Sequence, residues 1–158
     1  MSYPDLQEHI RNLERKGLLF RVRHPINKDT EMHPLVRWQF RGGLPESDRK
    51  AFFFENVVDG TGRRYDMPVV VGALAASTDV YLAGLGCKLD EVVDLWDRAL
   101  SHPIPPEIVS DGPVHEVVLT GSDLDAEGGG LLQFPIPIST PGFDNAPYTT
   151  CSHWFTKD

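Results

Sequence analysis

The sequence predicts a mixed α/β lobe over residues 1–102, a proline-rich link over 103–112 and a β-patterned region over 113–158. Three observations carry that reading. In the first hundred residues the apolar positions alternate between steps of three and four and short continuous runs, the marks of amphipathic helices and of strands buried on both faces. Pro103, Pro105 and Pro106 then forbid a continuing helix and stiffen an extended connection. Beyond them, nine of the 27 residues from Gly121 to Pro147 are Gly or Pro, too many for helix or central strand.

Leu6, Ile10 and Leu13 recur at helical spacing behind Ser2 and Pro4 and stop at Gly17, which predicts a helix from about Pro4 to Lys16. Leu18 to Val22 reads as a short strand closed by His24-Pro25. From Thr30, the positions Met32, Leu35, Val36 and Phe40 predict a second helix ending at Gly42-Gly43, with Pro34 on its early turns, where a missing N–H costs least. Ala51–Glu55 and Pro68–Gly72 are apolar runs expected as buried strands, with Asp59-Gly60-Thr61-Gly62 between them. Val80, Leu82, Ala83 and Leu85, and then Val92, Val93, Trp96, Ala99 and Leu100, predict two more helices. Past the link, Val114–Leu119 and Tyr148–Phe155 read as strands, and 121–147 as a long structured loop of the kind that is usually functional or mobile. A strand running straight into Thr156-Lys157-Asp158 leads us to expect that further chain follows.

Composition narrows the function classes. With 158 residues there is room for one domain or two small lobes, and 41% apolar with 24% charged residues is the profile of a folded protein. A formal charge of -8 repels a phosphate backbone at long range, which argues against nucleic-acid binding. Cys87 and Cys151 are far apart, with no C-x-x-C, so a reduced, cytoplasmic setting is the default. Asp5, Glu8, Arg11, Glu14 and Arg15 interrupt the N-terminus as no signal peptide allows, and no run is long enough to span a bilayer.

The usual chemical motifs are missing. Gly128-Gly129-Gly130 fits neither G-x-G-x-x-G nor the P-loop and reads as a flexible turn. His9, His24, His33, His102, His115 and His153 show no ligand spacing and read as surface or hydrogen-bonded half-buried residues. There is no G-x-S-x-G elbow. Asp144 beside Asn145, and Asp123 with Asp125 and Glu127, read as caps of turns rather than acid/base pairs. Trp38, Trp96 and Trp154 are expected to pack in the core.

The order of short motifs is more informative than any one of them. The opening helix with Leu18-Leu19-Phe20-Arg21-Val22, the Asp29-Thr30-Glu31-Met32 helix start and Phe54-Glu55-Asn56-Val57 resemble the opening of the UbiD family, with its "D-x-E" helix start and "FENV" strand. Pro68–Gly72, the Pro103–Pro106 link, Pro113–Val118 ("PV-x-E-V-V"), Leu131–Pro137 ("DLL-x-x-P-x-P"), Asp144–Thr150 ("DGGPY-x-T") and Thr156-Lys157-Asp158 ("T-x-D-P") resemble the family's following segments in the right order.

The resemblance implies an α/β lobe followed by the start of a split β-barrel that binds flavin. It implies reversible decarboxylation of aromatic or α,β-unsaturated carboxylic acids with prenylated FMN, Mn2+ and K+. Its partners would be the small acid, CO2 and further copies of the chain. The modified flavin serves as the electron sink for a carbanion left on an sp² carbon.

The match covers only the N-terminal part of such enzymes, ahead of the family's metal ligands, phosphate contacts and catalytic Glu-Arg-Glu, so no catalytic or metal residue is carried over. Thr150, matching the Thr of "PY-x-T", is the expected cofactor-binding position, with Tyr148 expected to pack. Two departures fall near the pocket entry: Asp144-Asn145-Ala146 replaces "DGG", and 125–130 is longer and richer in glycine. The expectation is therefore the N-terminal part of a UbiD-like decarboxylase, inactive by itself. The alternatives are a non-catalytic UbiD-like subunit that completes a partner chain, or a flavin- or phosphate-binding domain using Gly128–Gly130.

Overall fold

The structure, a computed structural model, describes residues 5–125 and 129–138. Helix α1 (Leu6–Arg15) starts where Asp5 caps it, its carboxylate accepting the Glu8 N–H at 2.7 Å. It stops at Gly17, whose φ of +69° turns the chain so that the Leu18 N–H reaches back to the Leu13 carbonyl at 2.8 Å. Strand β1 (Leu19–Val22) follows, then the two-residue β2 (Ile26–Asn27) and α2 (Met32–Arg41). Next come β3 (Ala51–Phe54), β4 (Val57–Val58), β5 (Arg64–Tyr65) and β6 (Val69–Val71). Helices α3 (Thr78–Leu85) and α4 (Val92–Ser101) follow.

Strand β3 is central in the order β1-β3-β6, parallel to β1 and antiparallel to β6. Strands β2, β4 and β5 continue this arrangement past a bend, with β2 parallel to β4 and β5 antiparallel to it. The bend does not break the pairing: Glu55 N–H bonds the Val22 carbonyl at 3.0 Å, and Ile26 N–H bonds the Asn56 carbonyl at 2.9 Å.

Alternation along the central sheet explains why β3 and β6 are apolar throughout. Val22, Phe52, Phe54, Val69 and Val71 face α2, where Met32 and Val36 close one core. Leu19, Ala51 and Val70 face the other way, onto Leu13 of α1, Ala73, Ala76 and Val80 of α3. Strands covered on both faces, as β3 and β6 are, have no solvent face to mark with polar residues, whereas the edge strand β1 carries Arg21. Phe54, Leu13, Met32 and Val80 are fully buried.

Several expectations are corrected. Val114–Leu119 is not a strand: Pro113–His115 forms a 3-10 turn, residues 116–120 carry no strand, and Val117 and Val118 are exposed. β-branched residues make a strand only where a neighbouring strand takes up their backbone groups, and among the described residues none lies alongside. The loop from Gly121 contains a four-residue helix, α5 (Ser122–Asp125), and a 3-10 turn at Gly130–Gln133. Trp38 and Trp96 do not pack in the core; they are 72% and 48% exposed. Helix α4 forms where its periodicity says, but none of its residues is buried. His9 is completely buried rather than half-buried, its Nε2 2.7 Å from the Ala73 carbonyl oxygen. Tyr148–Phe155 and Trp154 lie outside the described residues.

Candidate functional site

Three places outside the apolar cores concentrate polar or exposed chemistry. The first is a groove of about 730 Å³ between α1, α3 and the turn after α3, lined by Asn12, Lys16, Asp79, Cys87, Lys88 and Glu91 among others. Gly86 places it, since its φ of +67° ends α3 and throws Cys87 and Lys88 sideways. In the groove the Lys88 backbone N–H donates to the Glu91 carboxylate at 2.8 Å, and the Asn12 amide to the Ala83 carbonyl at 3.4 Å. Two lysines face two carboxylates, so it offers no net charge to an anion.

The second is a polar clamp joining the turn before α2 to the β4–β5 hairpin. Asn27 Oδ1 accepts from the Asp29 N–H at 2.8 Å and the Thr30 N–H at 3.2 Å, while the Glu31 carboxylate accepts from the Asn27 N–H at 2.7 Å. These reciprocal bonds close the turn over residues 27–31 that leads into α2, an Asx-type turn in which a side chain takes up backbone donors. Lys28 is 6% exposed, its ammonium 2.6 Å from Asp29, whose other oxygen accepts the Gly60 N–H at 3.0 Å. In the hairpin, Asp59 is held down to about 2, first by the Thr61 hydroxyl, with the Thr61 and Arg63 N–H groups and the Tyr65 hydroxyl adding to it. Burial, followed by the bond to Asp59, pushes the Tyr65 hydroxyl up.

A neighbouring brace works the same way. Arg21 bonds Glu14 at 2.5 Å and Glu55 at 2.9 Å and lies 4.7 Å over the Phe53 ring, and these partners, Glu14 first, raise its already high pKa further. The Asn56 amide donates to the Arg23 carbonyl at 2.6 Å. The acidic and amide residues of the "D-x-E" and "FENV" motifs are thus ties between strands, turns and helices.

The third is apolar surface. Leu89, Val93, Trp96 and Leu100 are spaced at helical intervals along and just before α4, and all are exposed; Ile104 and Ile108 of the link are 92% and 96% exposed.

The sequence of residues 10–100, more than half of the chain, matches the 3-octaprenyl-4-hydroxybenzoate carboxy-lyase N-terminal domain of UbiD proteins. The chain belongs to the UbiD family. Among solved structures it is similar to the UbiD-class enzyme HmfF from Pelotomaculum thermopropionicum in complex with FMN, at 25% identity and a TM-score of 0.64 over 87% of this chain. It is also similar to the vanillic acid decarboxylase of Sedimentibacter hydroxybenzoicus in an open form, at 27% identity and a TM-score of 0.55 over 70% of this chain. It spans 27% and 23% of those two chains, about a quarter of each.

The described part of this UbiD chain does not assemble a metal centre. Among the described residues no three His, Cys, Asp or Glu converge where a metal ion would sit, and no helix is long and apolar enough to cross a membrane. Thr150, Tyr148, Asp144 and Asn145 lie outside the described residues, as does Gly128. His24, His33, His102 and His115 form no cluster; His115 instead meets Asp111 at 3.1 Å on the surface. Sequence reading passed over Asn27 and Lys28, although an Asn opening a polar turn ahead of a helix commonly bonds the backbone N–H two residues on, as Asn27 does with Asp29.

Proposed function

We propose that this chain acts as the N-terminal region of a UbiD-type carboxy-lyase that decarboxylates, reversibly, an aromatic or α,β-unsaturated carboxylic acid in the cytoplasm. The observation that carries the reading is the likeness of 87% of the chain to a UbiD-class enzyme in complex with FMN. Residues 1–102 serve as the scaffold lobe, 103–112 as the link and 113–158 as the beginning of a split β-barrel. Prenylated FMN, Mn2+ and K+ are assigned to residues other than the described ones, Thr150 among them. The flavin, when bound, supplies the electron sink for carboxylate cleavage. The described residues hold the strands and turns in place, and the apolar stripe at Leu89, Val93, Trp96 and Leu100 gives the remaining part of the enzyme, or further copies of it, a surface to pack on.

That same stripe suits the second reading, a non-catalytic subunit that completes a partner chain, because a separate polypeptide covers it equally well. The two are separated by isolating the native protein from its source cells and recording its visible absorbance and the mass of any extracted cofactor. A prenylated flavin in a single polypeptide containing this sequence supports the carboxy-lyase. A flavin that follows a different polypeptide, with this one bound to it, supports the subunit, and no flavin in either overturns both.

A further inference from the structure

Residues 129–138 lead in sequence from the link region toward Thr150, and they touch the first lobe at a defined place. Pro135 is buried, and Ile136, Pro137 and Ile138 are half-buried. Prolines 135 and 137 have no N–H, so only Ile136 and Ile138 can donate from this four-residue arm. Ile136 uses its N–H locally, on the Phe134 carbonyl at 2.8 Å, whereas Ile138 donates across the chain to the Lys28 carbonyl at 3.3 Å. Residue 28 follows β2 directly, and its own N–H pairs with the Val58 carbonyl of β4 at 2.8 Å. The arm therefore takes the backbone acceptor that β4 leaves open.

The direction of that acceptor is fixed by a side chain. The Lys28 carbonyl and the Asp29 N–H belong to one planar peptide unit, so holding one end sets the other. Asn27 Oδ1 holds the N–H end at 2.8 Å. The Lys28–Asp29 ion pair and the Asp29–Gly60 bond keep the flanking residues from turning.

We propose that Asn27 is a positioning residue: by fixing the Lys28–Asp29 peptide it aims the carbonyl that anchors Ile138, and so sets where the chain leaves the scaffold lobe on its way to Thr150. The geometry stands without the flavin; its meaning for catalysis rests on the carboxy-lyase reading above.

The test is residue-resolved amide exchange by NMR on the full 158-residue chain, which needs no flavin and so fails or succeeds separately from that reading. The Ile138 amide is expected to exchange about tenfold slower than in an unfolded peptide, and Asn27→Ala to remove about that factor, the scale of one net hydrogen bond. The Phe52 and Phe54 amides should keep their protection. Asn27→Asp retains the acceptor oxygen and should restore the slow rate. An unprotected Ile138 in the wild type, an unchanged rate in Asn27→Ala, or an equal loss at Phe52 and Phe54 overturns the proposal. Should Asn27→Ala fail to fold, the through-bond coupling between the Ile138 nitrogen and the Lys28 carbonyl carbon in the wild type decides: detected, it supports the anchor; absent, it overturns it.

Discussion

Gly72 and Gly62 share a backbone conformation but not a neighbourhood, and that contrast turns the two-sided packing of the sheet into a measurable quantity. Gly72 follows β6 with φ at +77°, and a Cβ added there would stand 3.2 Å from the Ala76 Cβ and 3.9 Å from the Ala51 Cα. Ala51 and Ala76 are 0% and 2% exposed and belong to the core between the sheet and α3. Gly62, in the β4–β5 hairpin, has φ at +89° and nothing within 4 Å of such a Cβ. In both positions alanine adds left-handed backbone strain of about 1–2 kcal/mol, partly offset by about 0.4–1 kcal/mol from a stiffer unfolded chain. Gly62→Ala should therefore destabilise by about 0.5–1 kcal/mol. Gly72→Ala carries the same terms and must also push Ala76 out of a packed layer, an overpacking cost of about 1–3 kcal/mol. The expected gap is that overpacking cost, about 1–3 kcal/mol, a urea midpoint lower by roughly 1 M with an unchanged slope. Equal midpoints for the two variants would refute the close approach of β6, β3 and the α3 entry.

Three further outcomes follow from the polar ties. Arg21→Met and Glu55→Gln, measured singly and together by urea unfolding, should show a coupling of up to about 1 kcal/mol, since both side chains are about a third exposed; zero coupling would leave the brace without a role. Asp59 has a folded-state carboxyl held at about 2, below its ordinary 3.8. Its stabilisation is thus complete above about pH 4 and lost as pH falls through 2, so Asp59→Asn should flatten that limb of the acid-unfolding curve followed by circular dichroism; an unaltered limb contradicts the hairpin network. Replacing His9 by Phe removes the partner of the buried Ala73 carbonyl and should cost about 1–3 kcal/mol in a thermal melt, whereas an unchanged melt would mean that this bond contributes nothing.

The helices and the central strands were legible because each is written locally. Gly17 and Gly86 stop α1 and α3 as expected, while α1 is capped by Asp5 rather than started at Ser2 and Pro4, and the runs Ala51–Phe54 and Val69–Val71 are apolar because both faces of their strands are covered. What failed was non-local. Whether Val114–Leu119 pairs depends on another strand being beside it, and whether Trp96 is buried depends on what lies over α4; neither is encoded in the segment itself. The two-residue strands β2, β4 and β5 are too short to show alternation and exist because the longer β1–β3 pair continues past its bend. At the site level, the motif order pointed to the family, yet Asp29, Glu31, Glu55 and Asn56 prove to be scaffold ties. The expected cofactor position, Thr150, falls outside the described residues.

The claim that this chain works in a flavin-dependent carboxy-lyase is tested most directly with substrate. The native protein, isolated with whatever flavin it holds and supplied with Mn2+ and K+, is incubated with a panel of aromatic and acrylic acids labelled at the carboxyl carbon, and released labelled CO2 is counted. The account requires release from at least one acid, lost when the flavin is removed and regained when it is restored. Flavin-loaded protein that releases no label from either class of acid contradicts it.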